Sequence, residues 1–116
     1  MTDIRLSLII PCYNEARNLP SLLKRCQLLT AEPGIEVILV DNGSNDNTSD
    51  VLAELLPCLP NCRSVRVDVN KGYGNGILSG LKVAKGRFLA WTHADMQTDP
   101  IDALQGLKIF ERENDD

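Results

Sequence analysis

Four short polar clusters hold the side chains of this 116-residue sequence best suited to chemistry. The first is Pro11-Cys12-Tyr13-Asn14-Glu15, where the Tyr13 ring can lie against a planar base and Glu15 can accept a hydrogen bond from it. As plain structure, Tyr13 is a surface aromatic and Glu15 an acid that favours a helix dipole. The second begins at Asp41, directly after Ile-Leu-Val. A carboxylate there is partly desolvated and calls for a donor, such as a ribose hydroxyl or a base imino group. A turn in which Asp41 accepts from its own backbone accounts for it equally well. The third, Asn70 to Gly76, reads N-K-G-Y-G-N-G. The fourth is His93-Ala94-Asp95-Met96-Gln97, whose carboxylate can share a divalent ion with two phosphate oxygens. A loop that caps the helix opening at Pro100 is the plainer account of those residues.

The glycine cluster does not spell a dinucleotide fingerprint. Gly72-x-Gly74 is followed by Ile77 and Gly74-x-Gly76 by Ser79, where a third glycine would be needed. The spaced set Gly74, Gly76 and Gly80 follows the third strand-like segment, whereas a nicotinamide site puts its glycines after the first. No P-loop pattern occurs either. These glycines read as sites of tight turning or close backbone approach.

The elements that must carry the clusters alternate along the chain. Ile4 to Ile10 is an apolar, β-branched run ended by Pro11. Leu19, Leu22, Leu23, Cys26 and Leu29 then recur at helical spacing behind Pro20, until Pro33-Gly34. Ile35 to Val40 is the second strand, and Asn47 with Asp50 resembles a helix cap. A leucine-rich helix follows, then a third strand from Ser64 to Val69. The next helix is expected to bury Ile77, Leu78, Leu81 and Ala84 and to end on a left-handed Gly86. Arg87 to Thr92 is the fourth strand, and a last helix opens at Asp99-Pro100 with Ala103, Leu104, Leu107 and Phe110 on one side. Four β-α units in succession predict an α/β fold: a parallel, Rossmann-like sheet with helices on both faces. Each polar cluster then lies at a strand's carboxyl end, the edge at which such sheets bind ligands.

Composition narrows the function classes. The chain is 43% hydrophobic and 24% charged, with 12 basic against 16 acidic residues and a formal charge of −4. That is a soluble globular balance, without the basic stripe a nucleic-acid surface requires. No segment is apolar for long enough to span a bilayer and no signal-peptide pattern opens the chain, so a cytoplasmic address is expected. The four cysteines lack metal-finger spacing and His93 is the only histidine, so reduced, mostly buried thiols are expected.

Taken in order, I-I-P-C-Y-N-E, V-I-L-V-D-N-G-S-N-D-N-T, V-N-K-G-Y-G-N-G and F-L-A-W-T-H-A-D-M-Q-T-D-P resemble the family 2 glycosyltransferases of the GT-A fold. The last two pieces most resemble the group that includes dolichyl-phosphate-mannose synthases. The resemblance implies a UDP- or GDP-linked sugar donor, Mn²⁺ or Mg²⁺, and an inverting transfer. It implies nucleotide-binding roles for Pro11, Tyr13, Glu15, Asp41 and Asn42, and metal-side roles for His93, Asp95 and Gln97. Two residues depart from the usual pattern: Asn42 and His93 each stand where many members have Asp. Imidazole is a poor ligand for Mg²⁺ but suits Mn²⁺. In the family, acceptor contacts and the general base come from a second half of the domain. This sequence offers no residue for that base, so the expectation is one truncated domain, the nucleotide-binding half. A non-catalytic nucleotide-sugar-binding module, or a structural remnant, stays open as the alternative. An apolar fourth strand left uncovered also predicts self-association, most simply a two-fold dimer around Phe88, Ala90 and Trp91.

Overall fold

The computed structural model describes residues 3–95 and 99–113. Strands β1 (Leu6–Cys12), β2 (Ile35–Asn42), β3 (Cys62–Val67) and β4 (Phe88–Trp91) form one sheet in the order β3-β2-β1-β4. Every neighbouring pair is parallel. Helices α1 (Leu19–Thr30), α2 (Thr48–Leu55), α3 (Tyr73–Leu81) and α4 (Asp102–Glu113) alternate with the strands, and a 3₁₀ turn at Leu56–Cys58 extends α2. Among the described residues no helix is long and apolar enough to cross a membrane.

Burial explains the order. Every residue of β1 and β2 is buried, as in parallel strands covered on both faces. Alternation divides their side chains between two cores. Leu8, Ile10, Val37 and Leu39 join Leu19, Leu22, Leu23, Cys26 and Leu107, which puts α1 and α4 on one face. Ile9, Ile38 and Val40 join Leu81, Val83 and Ala84 on the other, beneath α3. The connections β1-β2-β3 run one way across the sheet, and β3-β4 returns past both. A constant crossover hand therefore places α3 opposite α1 and α2. The strand order reverses between β1 and β4, which fixes the ligand crevice at their carboxyl ends.

The structure moves several predicted boundaries. Pro11 does not end β1 but lies inside it, opposite Val40 of β2. Pairing with β4 stops at Ile9, whose carbonyl accepts from Thr92 N at 3.0 Å. Pro11, two residues on and facing the same side, lies beyond that ladder, so its missing N–H costs nothing. Helix α3 starts at Tyr73, inside the segment read as a loop, and buries Gly76 and Gly80 while Leu78 is exposed. A Cβ on Gly80 would stand 2.5 Å from the Ile9 methyl and 3.0 Å from that of Val40, so the bare glycine lets α3 lie directly on the sheet. Gly86 does not adopt the left-handed conformation; its N–H donates to Ser7 Oγ at 2.8 Å. The predicted Asn47 cap is absent, and Asp46 accepts from Thr48 N at 2.9 Å instead. Helix α4 starts at Asp102, and Asp99 Oδ1 accepts from Ile101 N at 3.0 Å ahead of it. Cys12, Cys26 and Cys62 are buried thiols and Cys58 is exposed.

Glu36, buried near the amino end of β2, ties together the edge away from the crevice. It accepts from Ser7 Oγ at 2.5 Å, from Lys85 N at 2.8 Å and from Arg63 at 3.2 Å. Burial pushes its carboxyl up, but the donors from Ser7, Lys85 and Arg63 outweigh it and hold the group below the ordinary value of 4.5. A carboxyl whose pKa is lower folded than unfolded stabilises the fold above the unfolded value and loses that contribution as pH falls through the folded one. Urea denaturation should therefore show stability dropping on acidification below pH 4.5. Glu36→Gln should flatten that dependence. Glu36→Ala, which strands the Ser7 hydroxyl and the Lys85 amide, should cost about 1–3 kcal/mol at neutral pH.

Candidate functional site

The loop after β1 is held by the loop after β2. Asn14 takes a left-handed φ of 54°, a conformation asparagine tolerates when its side chain bonds locally. Its Oδ1 accepts from Asn45 N at 2.8 Å and Asp46 N at 3.2 Å, while its own N–H donates to Ser44 Oγ at 3.0 Å. Glu15 N donates to Thr48 Oγ1 at 3.0 Å, and Ala16 N to Asp46 Oδ2 at 3.4 Å. Slight desolvation raises the Asp46 carboxyl, yet donors from Thr48 and Ala16 bring it below the usual carboxylate range. The G-S-N-D-N-T segment is thus a clasp that sets the shape of the β1-α1 loop. Neither Asn14 nor Asp46 stood out in the sequence, although Asp-x-Thr is the spacing of a side-chain turn.

Tyr13 projects from this clasp 45% exposed, its hydroxyl accepting from Asn45 Nδ2 at 3.2 Å. Glu15 Oε1 accepts from Asn18 Nδ2 at 3.0 Å, within the same loop. Pro11 is buried within β1 and shapes the loop only from behind. A cleft of about 590 Å³ beside the loop is lined by Asn14 to Asn18 with Asp46, Asn47 and Val51. None of the groups at the ends of β2 and β4 opens into it except those loop residues, so the candidate site is the open carboxyl edge and not a closed cavity.

Asp41 is already engaged at that edge. Its Oδ2 accepts from Arg66 at 2.7 Å and its Oδ1 from Ser44 N at 3.2 Å. Arg66 lies opposite Asp41 in the β2-β3 register and is 43% exposed in its side chain, against 3% for Asp41. A carboxylate has further lone pairs for a ligand donor, but Arg66 now stands at the rim as the accessible partner. The turn expected at Asp41 is thus present, through Ser44 N. Asn42, also buried, donates from Nδ2 to Gly72 O at 3.2 Å, while its Oδ1 has no hydrogen-bond partner among the described residues.

Past β4 burial still alternates. Thr92 and Ala94 are buried, while Trp91, His93 and Asp95 are exposed, and the His93 ring and the Asp95 charge both lie near Tyr73. Tyr73, at the start of α3, stacks on His93 with ring centroids 4.9 Å apart and planes at 19°. Burial and the nearby Asp95 charge both push the Tyr73 phenol up. Among the described residues no group of three His, Cys, Asp or Glu side chains could hold a metal alone. One imidazole and one carboxylate fit an ion that completes its shell with diphosphate oxygens and water. The stack is compatible with that, since it uses the ring face and a ligating lone pair lies in the ring plane. Gln97, the remaining metal-side candidate, lies outside the described residues.

Comparison with known proteins accords with this arrangement. The chain is 35% identical over 113 residues to the undecaprenyl-phosphate 4-deoxy-4-formamido-L-arabinose transferase of Serratia proteamaculans, covering 92% of this chain and 34% of that protein. It is 37% identical over 106 residues to the Aeromonas hydrophila transferase of the same name, covering 85% and 32%. The chain thus spans about a third of the length of these curated relatives. Among solved structures, S. aureus TarS 1-349 superposes with a TM-score of 0.78 at 26% identity, over 95% of this chain and 33% of that one. The mannosyltransferase PcManGT from Pyrobaculum calidifontis, in complex with GDP-Man and Mn²⁺, gives 0.74 at 27% identity, over 90% and 32%. The family model described as glycosyl transferase family 2 matches residues 7–116, and to that family of transferases the chain belongs.

Proposed function

We propose that this chain binds the nucleoside-diphosphate sugar, together with a divalent ion, for an inverting transfer to a polyprenyl phosphate. The observation that supports it best is the layout of the carboxyl edge. Tyr13 and Asp41 stand at the ends of β1 and β2, where a base and ribose fit, and His93 and Asp95 stand across the switch point at the end of β4. The polyprenyl acceptor is drawn from the named activity of the relatives and agrees with the likeness to dolichyl-phosphate-mannose synthases. PcManGT was determined with a GDP-sugar and Mn²⁺.

In this reading Tyr13 offers its ring to the base, and Asp41, with its charge balanced by Arg66, accepts from base or ribose. His93 and Asp95 would hold the ion, and the His–Asp donor pair favours Mn²⁺ over Mg²⁺. Once bound, such an ion neutralises charge developing on the leaving diphosphate. The acceptor also decides whether a general base is needed. A phosphate monoester has its second pKa at about 6, so at neutral pH its oxygen arrives ionised and needs no base to deprotonate it. A hydroxyl acceptor would need one.

Calorimetry with UDP and GDP, each with and without Mn²⁺, tests the binding. One nucleotide should give heat that Mn²⁺ increases; silence for both in a folded sample defeats the proposal. Asp95→Ala should remove the metal dependence without loss of fold, and His93→Asp should shift preference towards Mg²⁺. Asp41→Asn should weaken nucleotide binding with or without metal, and is a cleaner change than Asp41→Ala, which strands Ser44 N and Arg66. An Asp95→Ala variant with unchanged metal dependence contradicts the assignment.

The same reading includes self-association at β4, with its surface revised by the structure. Phe88 and Ala90 are half-buried against the α1-α4 core, and Phe110 of α4 stacks on Phe88 with centroids 6.0 Å apart. Arg5 of the β1 side also pairs with Glu111 of α4. Leu89 and Trp91 remain 50% and 56% exposed on the other face of an edge strand. A second copy pairing along this edge would bury them. Trp91, the only tryptophan, should then shift its emission on dilution as sedimentation shows the mass fall. A monomer with concentration-independent emission at tens of micromolar rules the dimer out.

A further inference from the structure

Tyr73 is 40% exposed and belongs to neither apolar core. Among the described residues its ring stacks on that of His93. The residue before it, Gly72, adopts a φ of 104°, which side-chain-bearing residues avoid, and is fixed at three points. Gly72 N donates to Asn70 Oδ1 at 2.7 Å, and Gly72 O accepts from Gly76 N at 3.2 Å and from Asn42 Nδ2 at 3.2 Å. The last contact anchors the start of α3 to the buried end of β2. It requires an amide at position 42, because a carboxylate would present only lone pairs to the Gly72 oxygen. Gly76 leaves the space, since a Cβ there would stand 2.9 Å from Asn42 Nδ2. One line of contacts thus runs from Asn42 through Gly72 and Tyr73 to His93. Its two ends are the two positions at which the sequence departs from the usual Asp of the family.

Resting on the metal reading above, we propose that Tyr73 is a positioning residue for the donor metal, fixing the plane of the His93 imidazole, and that Asn42 sets Tyr73 in place by holding Gly72. A lone imidazole on an exposed loop must be ordered before it can ligate, and groups that orient a ligand in advance raise metal affinity. An Asp at position 93 offers no ring to stack and an Asp at 42 offers no proton, so the amide and the imidazole belong together.

Because His93 is the only histidine, its imidazole Hε1 gives one NMR signal, which reports the stack without metal. In the wild-type chain that signal should lie upfield of its position in urea, shifted by the Tyr73 ring. Tyr73→Ala should abolish the shift and weaken Mn²⁺ binding, measured by electron paramagnetic resonance with nucleoside diphosphate present, on the order of tenfold. Tyr73→Phe should keep both, and Asn42→Asp should reduce both. Circular dichroism checks the fold, and Tyr73→Leu, which keeps bulk without an aromatic face, serves if Tyr73→Ala does not fold. A wild-type chain that binds Mn²⁺ while Tyr73→Ala or Tyr73→Leu binds it equally well overturns the positioning role and spares the metal site. A wild-type chain with the shifted signal but no Mn²⁺ uptake overturns the metal reading and, with it, the purpose assigned to the stack.

Discussion

Two strands buried on both faces leave polar groups nowhere to go but the ends. In β1 and β2 every residue is buried, and fully burying each Leu, Ile or Val contributes roughly 1.5–3 kcal/mol. The exceptions show the rule. Ser7 and Glu36 are polar within these strands, and they satisfy each other and the Lys85 amide. Asp41 and Asn42 come at the last two positions of β2, where loops supply Ser44 N and Gly72 O and the neighbouring strand supplies Arg66 as partners. Segregation of chemistry to one edge is therefore a consequence of how the core is built, and parallel pairing then brings those strand ends side by side.

The edge is preorganised by short hydrogen bonds between loops and not by a pocket. Asn14 sits in a left-handed conformation only because Asn45 N, Asp46 N and Ser44 Oγ answer its side chain and backbone. Asp41 sits at a buried position where Arg66 reaches it from the neighbouring strand at 2.7 Å. A site made this way can bind a ligand with little rearrangement, which is where affinity for a flexible diphosphate would otherwise be lost.

Much of this was legible in the residues. The β-α alternation follows from periodicity, and the placing of the clusters at strand ends follows from the alternation. The start of α3 was not legible, because Tyr73-Gly74-Asn75-Gly76 has the composition of a loop and glycine disfavours helix. Gly76 and, a turn further on, Gly80 are there for contacts distant in sequence, with Asn42 and Ile9. Arg66 escaped notice for a related reason: it meets Asp41 only through the β2-β3 register, which no local pattern encodes. Asn47 looked like the cap of α2, but Asp46 had the geometry to serve both the helix and the β1 loop.

The acceptor chemistry decides what a transfer needs beyond donor binding. In the proposed reading, donor binding and leaving-group stabilisation would draw on Tyr13, Asp41, His93 and Asp95, all at the carboxyl ends of strands of one sheet. With a hydroxyl acceptor, transfer would also need a base placed on the far side of the sugar. With a phosphate acceptor the nucleophile is ionised beforehand, and what remains to be supplied is position: a surface that holds the lipid phosphate in line with the anomeric carbon. Leu89 and Trp91, exposed on the flank of β4, lead along that strand to His93 and Asp95.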